Sequence, residues 1–197
     1  MLAFIKMIIF RPDGRKLTER RPVSISAGNI KSADGSSIVR QGNTTVVCGI
    51  KLELSKPAPE NPNLGYIVPN VTLPAMCNPS FKPGGPPSGE AMALSTFVKE
   101  VLESSGCLDL ADLCPVPHKV CWVLYIDFLC LDHDGNVADA VVAALMAALR
   151  SLNIPNVAFD TESGQITVTP GLYIIQYSYS QKLATQQATK LNVFFQF

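Results

Sequence analysis

Residues 120–131 read VCWVLYIDFLCL, an apolar run the length of one strand with a single carboxylate, Asp127, inside it. Odd and even positions are equally apolar, so a strand made from it would leave hydrocarbon in water on whichever face lay open. Such a segment belongs inside a sheet, with neighbours on both sides and cover on both faces. It falls well short of the roughly 20 apolar residues of a membrane-crossing helix. A lone carboxylate buried in such a run is costly without a partner, so Asp127 reads as a satisfied structural acid or an interface residue rather than a catalyst. The next apolar stretch, VADAVVAALMAAL at 137–149, is apolar nearly all round a helix and is expected between two layers. Asn136 precedes it as N-cap, with Asp139 three residues later in the capping-box acceptor position. A chain of 197 residues can bury a core of this kind in one domain.

Upstream, Val23–Ile30 alternates apolar and polar as a half-buried strand does. Asp34-Gly35 offers hairpin-turn chemistry, Ser36–Arg40 reads as the returning strand, and Gly42-Asn43 makes a second turn. Thr44–Leu54 is a long strand rich in β-branched residues, which completes a three-stranded meander. Tyr66–Leu73 is a short extended piece that Pro69 confines to an edge or a bend. Residues 78–89 (NPSFKPGGPPSG) form a long irregular loop. Glu90–Ser105 is a helix with Ala91, Leu94, Val98, Val101 and Leu102 on one face, stopped by Gly106. Val157–Phe159 and Gln165–Thr169 pair as a hairpin through Ser163-Gly164. Meander, helix, buried strand, buried helix and hairpin make an α+β domain.

The formal net charge is zero, which argues against a free-standing, strongly basic nucleic-acid binder but leaves room for a local patch. The zero is a cancellation. Residues 1–87 carry 11 Lys/Arg and 5 Asp/Glu, whereas residues 88–162 carry 3 and 11. The final segment, 172–197, has no acidic residue and holds five of the seven glutamines. Six cysteines occur without any CxxC pair, and Met1–Phe10 has no small-residue cleavage site after it, so buried, reduced thiols are expected rather than a disulfide framework.

Asp132-His133-Asp134 follows the apolar strand directly. Asp132 and Asp134, two residues apart around a histidine, are weak candidates for a divalent cation or for acid and base. The plainer reading is a polar turn whose acids favour the next helix's N-terminus. His118 sits in a Pro-rich loop as an ordinary solvated histidine. No nucleophile signature and no phosphate loop is present, so no cofactor is expected. Gly84-Gly85 is a poor phosphate cradle, being crowded by prolines. Lys82 beside Phe81, and Arg40, are weak RNA-binding candidates, offering a phosphate contact next to a stacking face.

The chain resembles the RNase PH family over residues 11–169. The resemblance rests on Arg11-Pro12-Asp13-Gly14-Arg15, on Asp34-Gly35-Ser36-Ser37-Ile38-Val39, and on Gly42-Asn43-Thr44-Thr45-Val46-Val47-Cys48-Gly49. Leu131-Asp132-His133-Asp134-Gly135-Asn136-Val137-Ala138-Asp139-Ala140 resembles the non-catalytic exosome-type subunits, where phosphorolytic members read close to QADGGTxxA. The implied fold is the RNase PH domain, related to the second domain of ribosomal protein S5. The implied role is structural, in an exosome ring of RNase PH-like and cap subunits that guides RNA to a separate nuclease during rRNA maturation and mRNA turnover. The resemblance places the ring in nucleus, nucleolus and cytoplasm, with no membrane and no metal. Active members carry arginines on the first long helix, and Glu100 and Glu103 align with those places. Asp134 aligns with an acid of the active motif and reads as a vestigial catalytic residue. Two alternatives stay open, a phosphorolytic 3′-to-5′ exoribonuclease and a non-functional splice product. The expected organisation is an atypical segment at 1–10, a partial RNase PH-like domain at 11–171 and a divergent tail at 172–197. In that tail, alternative splicing or translated intron is expected to replace the family's last strands and helix.

Overall fold

The computed structural model of the chain describes residues 11, 13–16, 18–83, 85–159 and 166–173. The segment at 1–10, Gly84, the Ser163-Gly164 turn and the tail from 174 onward lie outside the described residues. The elements are β1 (Val23–Ala27), β2 (Gly35–Gln41), β3 (Thr44–Ser55), β4 (Tyr66–Thr72), α1 (Gly89–Ser105), β5 (Cys121–Asp132), α2 (Val137–Arg150), β6 (Ile154–Phe159) and β7 (Ile166–Tyr173). Five strands form one sheet in the order β1-β2-β3-β5-β4, and β6 pairs with β7 separately. β7 runs to Tyr173.

The meander is antiparallel throughout, Val23 opposite Gln41 and Gly35 opposite Ile50. Its first connection is longer than a two-residue hairpin. β1 stops at Ala27, the chain turns through Gly28 with φ 75°, and β2 begins at Gly35. Asp34 is therefore not a turn tip. Its carboxylate accepts the Leu52 N–H at 2.8 Å and meets Lys51 at 3.5 Å, which fastens the start of β2 to the far end of β3.

β5 lies between β3, antiparallel from Thr45 opposite Asp132 to Ser55 opposite Cys121, and β4, parallel to it. The parallel pair requires a crossover, and α1 supplies it. Leu124, Ile126 and Phe128 of β5 are fully buried beneath the helices with Val46, Cys48 and Ile50 of β3. Burying each such side chain stabilises the fold by roughly 1.5–3 kcal/mol. The opposite face is covered only over the start of the strand, where Cys121 and Val123 are buried. Tyr125 and Leu129, further along that face, are 37% and 39% exposed, and Asp127 between them is exposed too, accepting a hydrogen bond from Asn70 Nδ2 at 3.2 Å. Asp127 is thus neither buried nor costly. α2 has Arg150 as its one exposed residue, yet Val142, Ala143 and Met146 are only half-buried, so the sheet supplies one layer over it and described residues only part of a second.

β4 is the edge that Pro69 calls for. The Val71 N–H points away from β5 and donates to Ser95 Oγ of α1 at 2.9 Å, while the Ser95 hydroxyl donates to Ala91 O at 2.9 Å. Residues two apart in a strand direct their amides to the same side. The missing N–H of Pro69 therefore also lies on the outer edge, where no ladder bond is lost. α1 is capped by Ser88, which accepts the Ala91 N–H at 3.2 Å, and ends on Gly106 at φ 59°.

None of the six cysteines is in a disulfide, and four of them (Cys48, Cys77, Cys121 and Cys130) are buried. Cys107 and Cys114 are only half-buried, a departure from the expectation of uniform burial. Burial pushes the Cys48 and Cys130 thiols up to about 12. Their neutral forms are favoured in the folded state, so the stability they contribute is complete below the ordinary thiol range and falls as pH rises from about 9 toward 12. A thiol reagent at pH 8 should label Cys107 and Cys114 first and reach Cys48 and Cys130 only as fast as the chain opens, as peptide mass mapping over time would report. Gly35 gives a second check. A Cβ there would lie 2.9 Å from Ala148 O and 3.1 Å from Leu152 Cα. Gly35→Ala must push α2 off the sheet and should destabilise by about 1–3 kcal/mol in urea unfolding.

Candidate functional site

The turn between β5 and α2 is held by groups that come from far away in sequence. Thr44 Oγ1, at the start of β3, donates to Gly135 O at 2.8 Å and accepts the Asp134 N–H at 3.1 Å. Arg21 Nη1 donates to the same Gly135 carbonyl at 3.1 Å. Gly135 and Asn136 both take the left-handed conformation, with φ 78° and 54°. That conformation corrects the expected cap. Asn136 is the N-cap residue, but its side chain makes no bond to the helix backbone. Its Nδ2 donates instead to Asp139 Oδ2 at 2.6 Å. Asparagine tolerates a left-handed backbone, and that geometry differs from the extended one from which a cap side chain reaches the first-turn amides.

The turn separates two neighbourhoods. On one side, Asp134 accepts from Asn43 Nδ2 at 3.2 Å and lies 3.8 Å from Arg21 Nη2. Here an open cleft of about 500 Å³ brings Asp134 together with Arg15, Arg21, Arg40 and Asp13. Arg15 Nε holds Asp13 at 2.6 Å, and this keeps the Asp13 carboxyl below the usual carboxylate range. Arg40 is exposed and donates from Nε to Gly42 O at 3.1 Å. Three guanidiniums against two carboxylates leave a net positive concavity, suited to an anion that can be gripped bidentately.

On the other side, His133 lies 3.1 Å from Glu90 Oε1 through Nε2, and its ring meets Phe81 edge-on at 5.8 Å. The Gly135 N–H donates to His133 Nδ1 at 3.4 Å, so the ring is held between the turn's backbone and Glu90. The His133 N–H donates to Cys77 O at 3.2 Å. Glu90 stands at the start of α1, and the exposed Asp132 and half-buried Asp139 flank the same turn.

Of the residues singled out in the sequence, the structure brings Arg40 and Asp134 into one cleft. It leaves Lys82 exposed on the loop whose Phe81 touches His133. Asp132 and Asp134 gather no third ligand. Among the described residues no group of three His, Cys, Asp or Glu side chains is placed to hold a metal ion. His118 is an exposed loop residue whose N–H donates to Pro62 O at 3.0 Å. Glu100 and Glu103 are exposed further along α1, about 15 and 20 Å along the helix axis from Glu90. Glu103 pairs there with Lys99 at 3.9 Å. The carboxylate that faces the turn is thus Glu90, which sequence reasoning took only as a helix start. Arg15, Arg21 and Asn43 were also missed. Their basic segment was visible, but no local spacing points from Arg21 to a carbonyl 114 residues away.

Comparison with known proteins adds a third line. Residues 19–155 match the family described as "3′ exoribonuclease family, domain 1", RNase PH. The chain is 41% identical over 152 residues to exosome complex component rrp43 of Schizosaccharomyces pombe, covering 77% of this chain and 56% of that one. It is 42% identical over 145 residues to exosome complex component Rrp42 of Methanopyrus kandleri, covering 74% and 54%. Among solved structures it is similar to a chain of the Archaeoglobus fulgidus exosome with RNA bound to the active site. That match has a TM-score of 0.72 and 32% identity, over 86% of this chain and 65% of that one. It is also similar to a chain of an archaeal exosome core, with a TM-score of 0.65 and 30% identity. The chain spans a little over half the length of these curated relatives.

Replacing Arg21 tests the turn directly. Arg21→Ala removes the charged donor from Gly135 O and should lower stability by about 1.5 kcal/mol, read as a shift in the urea midpoint at unchanged slope.

Proposed function

The chain belongs to the RNase PH family of 3′ exoribonucleases, and from that premise we propose that it is a non-catalytic structural subunit of an RNA exosome core ring. Its partners are other RNase PH-like ring subunits and the cap subunits, and RNA reaches it through the assembled ring. Its work is support of 3′-to-5′ processing and degradation, including rRNA maturation and mRNA turnover, in nucleus, nucleolus and cytoplasm. The relatives named as exosome components and the exosome-core structures support the ring assignment.

One observation carries the non-catalytic half of this reading. The turn entering α2 is flanked by Asp132, Asp134 and Asp139 and faced by Glu90, whose carboxylate lies 3.1 Å from His133 Nε2. Phosphorolysis needs an inorganic phosphate held against the last phosphodiester, and phosphate is held by cations and spare N–H donors. Four carboxylates near a helix N-terminus oppose that. Of the three cations in the cleft beside Asp134, Arg21 is directed to Gly135 O and Asp134, Arg15 to Asp13 and Glu19 O, and Arg40 through Nε to Gly42 O.

Two measurements check this. The full 197-residue chain, incubated with single-stranded RNA and inorganic phosphate, should release no nucleoside diphosphate. Release that Asp134→Asn abolishes would establish the phosphorolytic alternative. Co-expressed with ring partners, the tagged chain should elute in a complex of ring mass. Elution as a lone chain would leave the non-functional-product reading standing.

A further inference from the structure

Two of the buried thiols come together from distant parts of the chain. Cys130 lies on the covered face of β5, in line with Leu124, Ile126 and Phe128, and is 1% exposed. Cys77 follows β4 and joins the same core at its margin, 9% exposed. The peptide unit between Asp132 and His133 links the two. Its carbonyl lies 3.3 Å from Cys130 Sγ, and its N–H donates to Cys77 O at 3.2 Å. The thiols are also hydrogen-bonded to each other. The other cysteines are engaged differently. Cys107 accepts the Ser105 hydroxyl at 3.1 Å, Cys114 lies 3.6 Å from both Pro62 O and Val120 O, Cys121 meets Cys114 only as a neighbouring charge, and the charged neighbour of Cys48 is Asp127.

Their surroundings give the two sulfurs different roles. Burial raises the Cys77 thiol, and the hydrogen bond with Cys130 offsets part of that rise. Cys130 is pushed up to about 12, by burial first and by Cys77 second. Cys77 is therefore the sulfur that ionises and meets solvent, and Cys130 is the protonated one behind it. A reagent from outside reaches Cys130 only as the chain opens, whereas Cys77 is already in place beside it. With hydrogen peroxide as oxidant, the Cys77 thiolate attacks one peroxide oxygen and the O–O bond breaks. The hydroxide released takes up the proton that Cys77 gave and leaves as water, so that Cys77 carries a sulfenic acid. The Cys130 sulfur then attacks the Cys77 sulfur, the S–O bond breaks, and the departing hydroxide removes the Cys130 proton as a second water. Two thiols and one peroxide become one disulfide and two waters, and a dithiol reductant reverses the change.

We propose that Cys77 and Cys130 are a site of reversible oxidation, and that their disulfide fastens the loop leading into α1 to the end of β5. In the reduced chain this seam is held by the His133–Cys77 hydrogen bond, the Glu90–His133 contact and the edge of Phe81 on the His133 ring. A covalent bond there closes the segment from Cys77 to Cys130, with α1 inside it, and restricts the unfolded chain most. The test uses the full 197-residue chain, reduced, treated with hydrogen peroxide at pH 8, then alkylated and mapped by peptide mass. A peptide pair joined through Cys77 and Cys130 should form, lose its link in dithiothreitol, and raise the urea midpoint by about 1 M or more. Cys48 should stay reduced throughout, which marks the reaction as one of the folded chain. Cys77→Ser should abolish the link and leave Cys130 a free thiol. Cys130→Ser should leave Cys77 as a sulfenic acid that dimedone traps, and Cys130→Val, which keeps the core apolar, repeats that reading where the serine variant unfolds. A link between Cys114 and Cys121 instead, a link that appears only with Cys48 oxidised as well, or Cys77 passing to sulfinic acid with Cys130 still free would each overturn the site. A linked chain whose urea midpoint is unchanged or lower would overturn the fastening.

Discussion

β5 is hydrogen-bonded along both edges, and the remaining architecture follows from satisfying it. Its antiparallel partner β3 is a sequence neighbour of β1 and β2, so the meander arrives as a unit. Its parallel partner β4 can be reached only by a long return, and α1 is that return. β5 leaves the sheet at Asp132, and the chain must then reverse to lay α2 over β1, β2 and β3. The reversal is the turn that Thr44 and Arg21 hold. The site is therefore a by-product of topology. It sits where the central strand ends and the chain doubles back past the entrance of β3.

Much of the fold is legible in the sequence because its signals are local. β-Branched residues in Thr44–Leu54, the apolar run of 120–131 and helical spacing from Ala91 to Leu102 each fix an element's kind, whereas the alternation of Val23–Ile30 marks a strand, β1, that is exposed at every position. Composition does not record how many layers the domain supplies. β5 is apolar on both faces, yet Tyr125 and Leu129 stand exposed on a face that is covered only at its start, over Cys121 and Val123. Asp127 illustrates the same limit. Its cost was judged from the hydrocarbon on either side of it in sequence, whereas its surroundings are set by β3 and β4, which place it on the open face next to Asn70.

The site was less legible, for a reason of distance. Asp134 and Arg40 stood out by charge and by their place beside turns. Glu90 did not, because its role depends on α1 beginning beside a turn 43 residues further on. Asn136 was identified at the correct position and assigned the wrong bond, since the backbone conformation that directs a side chain is not written in the residue type. Resemblance to a family supplied what local reading could not, the identity of the fold as a whole. It also aligned Glu100 and Glu103 with arginines of active members, and Glu90, which faces the turn, lies a few turns of helix before them.

The outer edge of β4 has one consequence for how copies of the chain can meet. Pro69 offers no amide there, and the Val71 amide is taken by Ser95, so an incoming strand finds no regular row of donors. Among the described residues β1 has a strand on one side only. The sheet thus has one edge open to extension and one closed. Growth of an endless ladder requires every copy to offer two. Two copies joined through β1 would terminate each other as a two-fold pair, with the β4 edge of each, closed by the same proline and serine, turned outward.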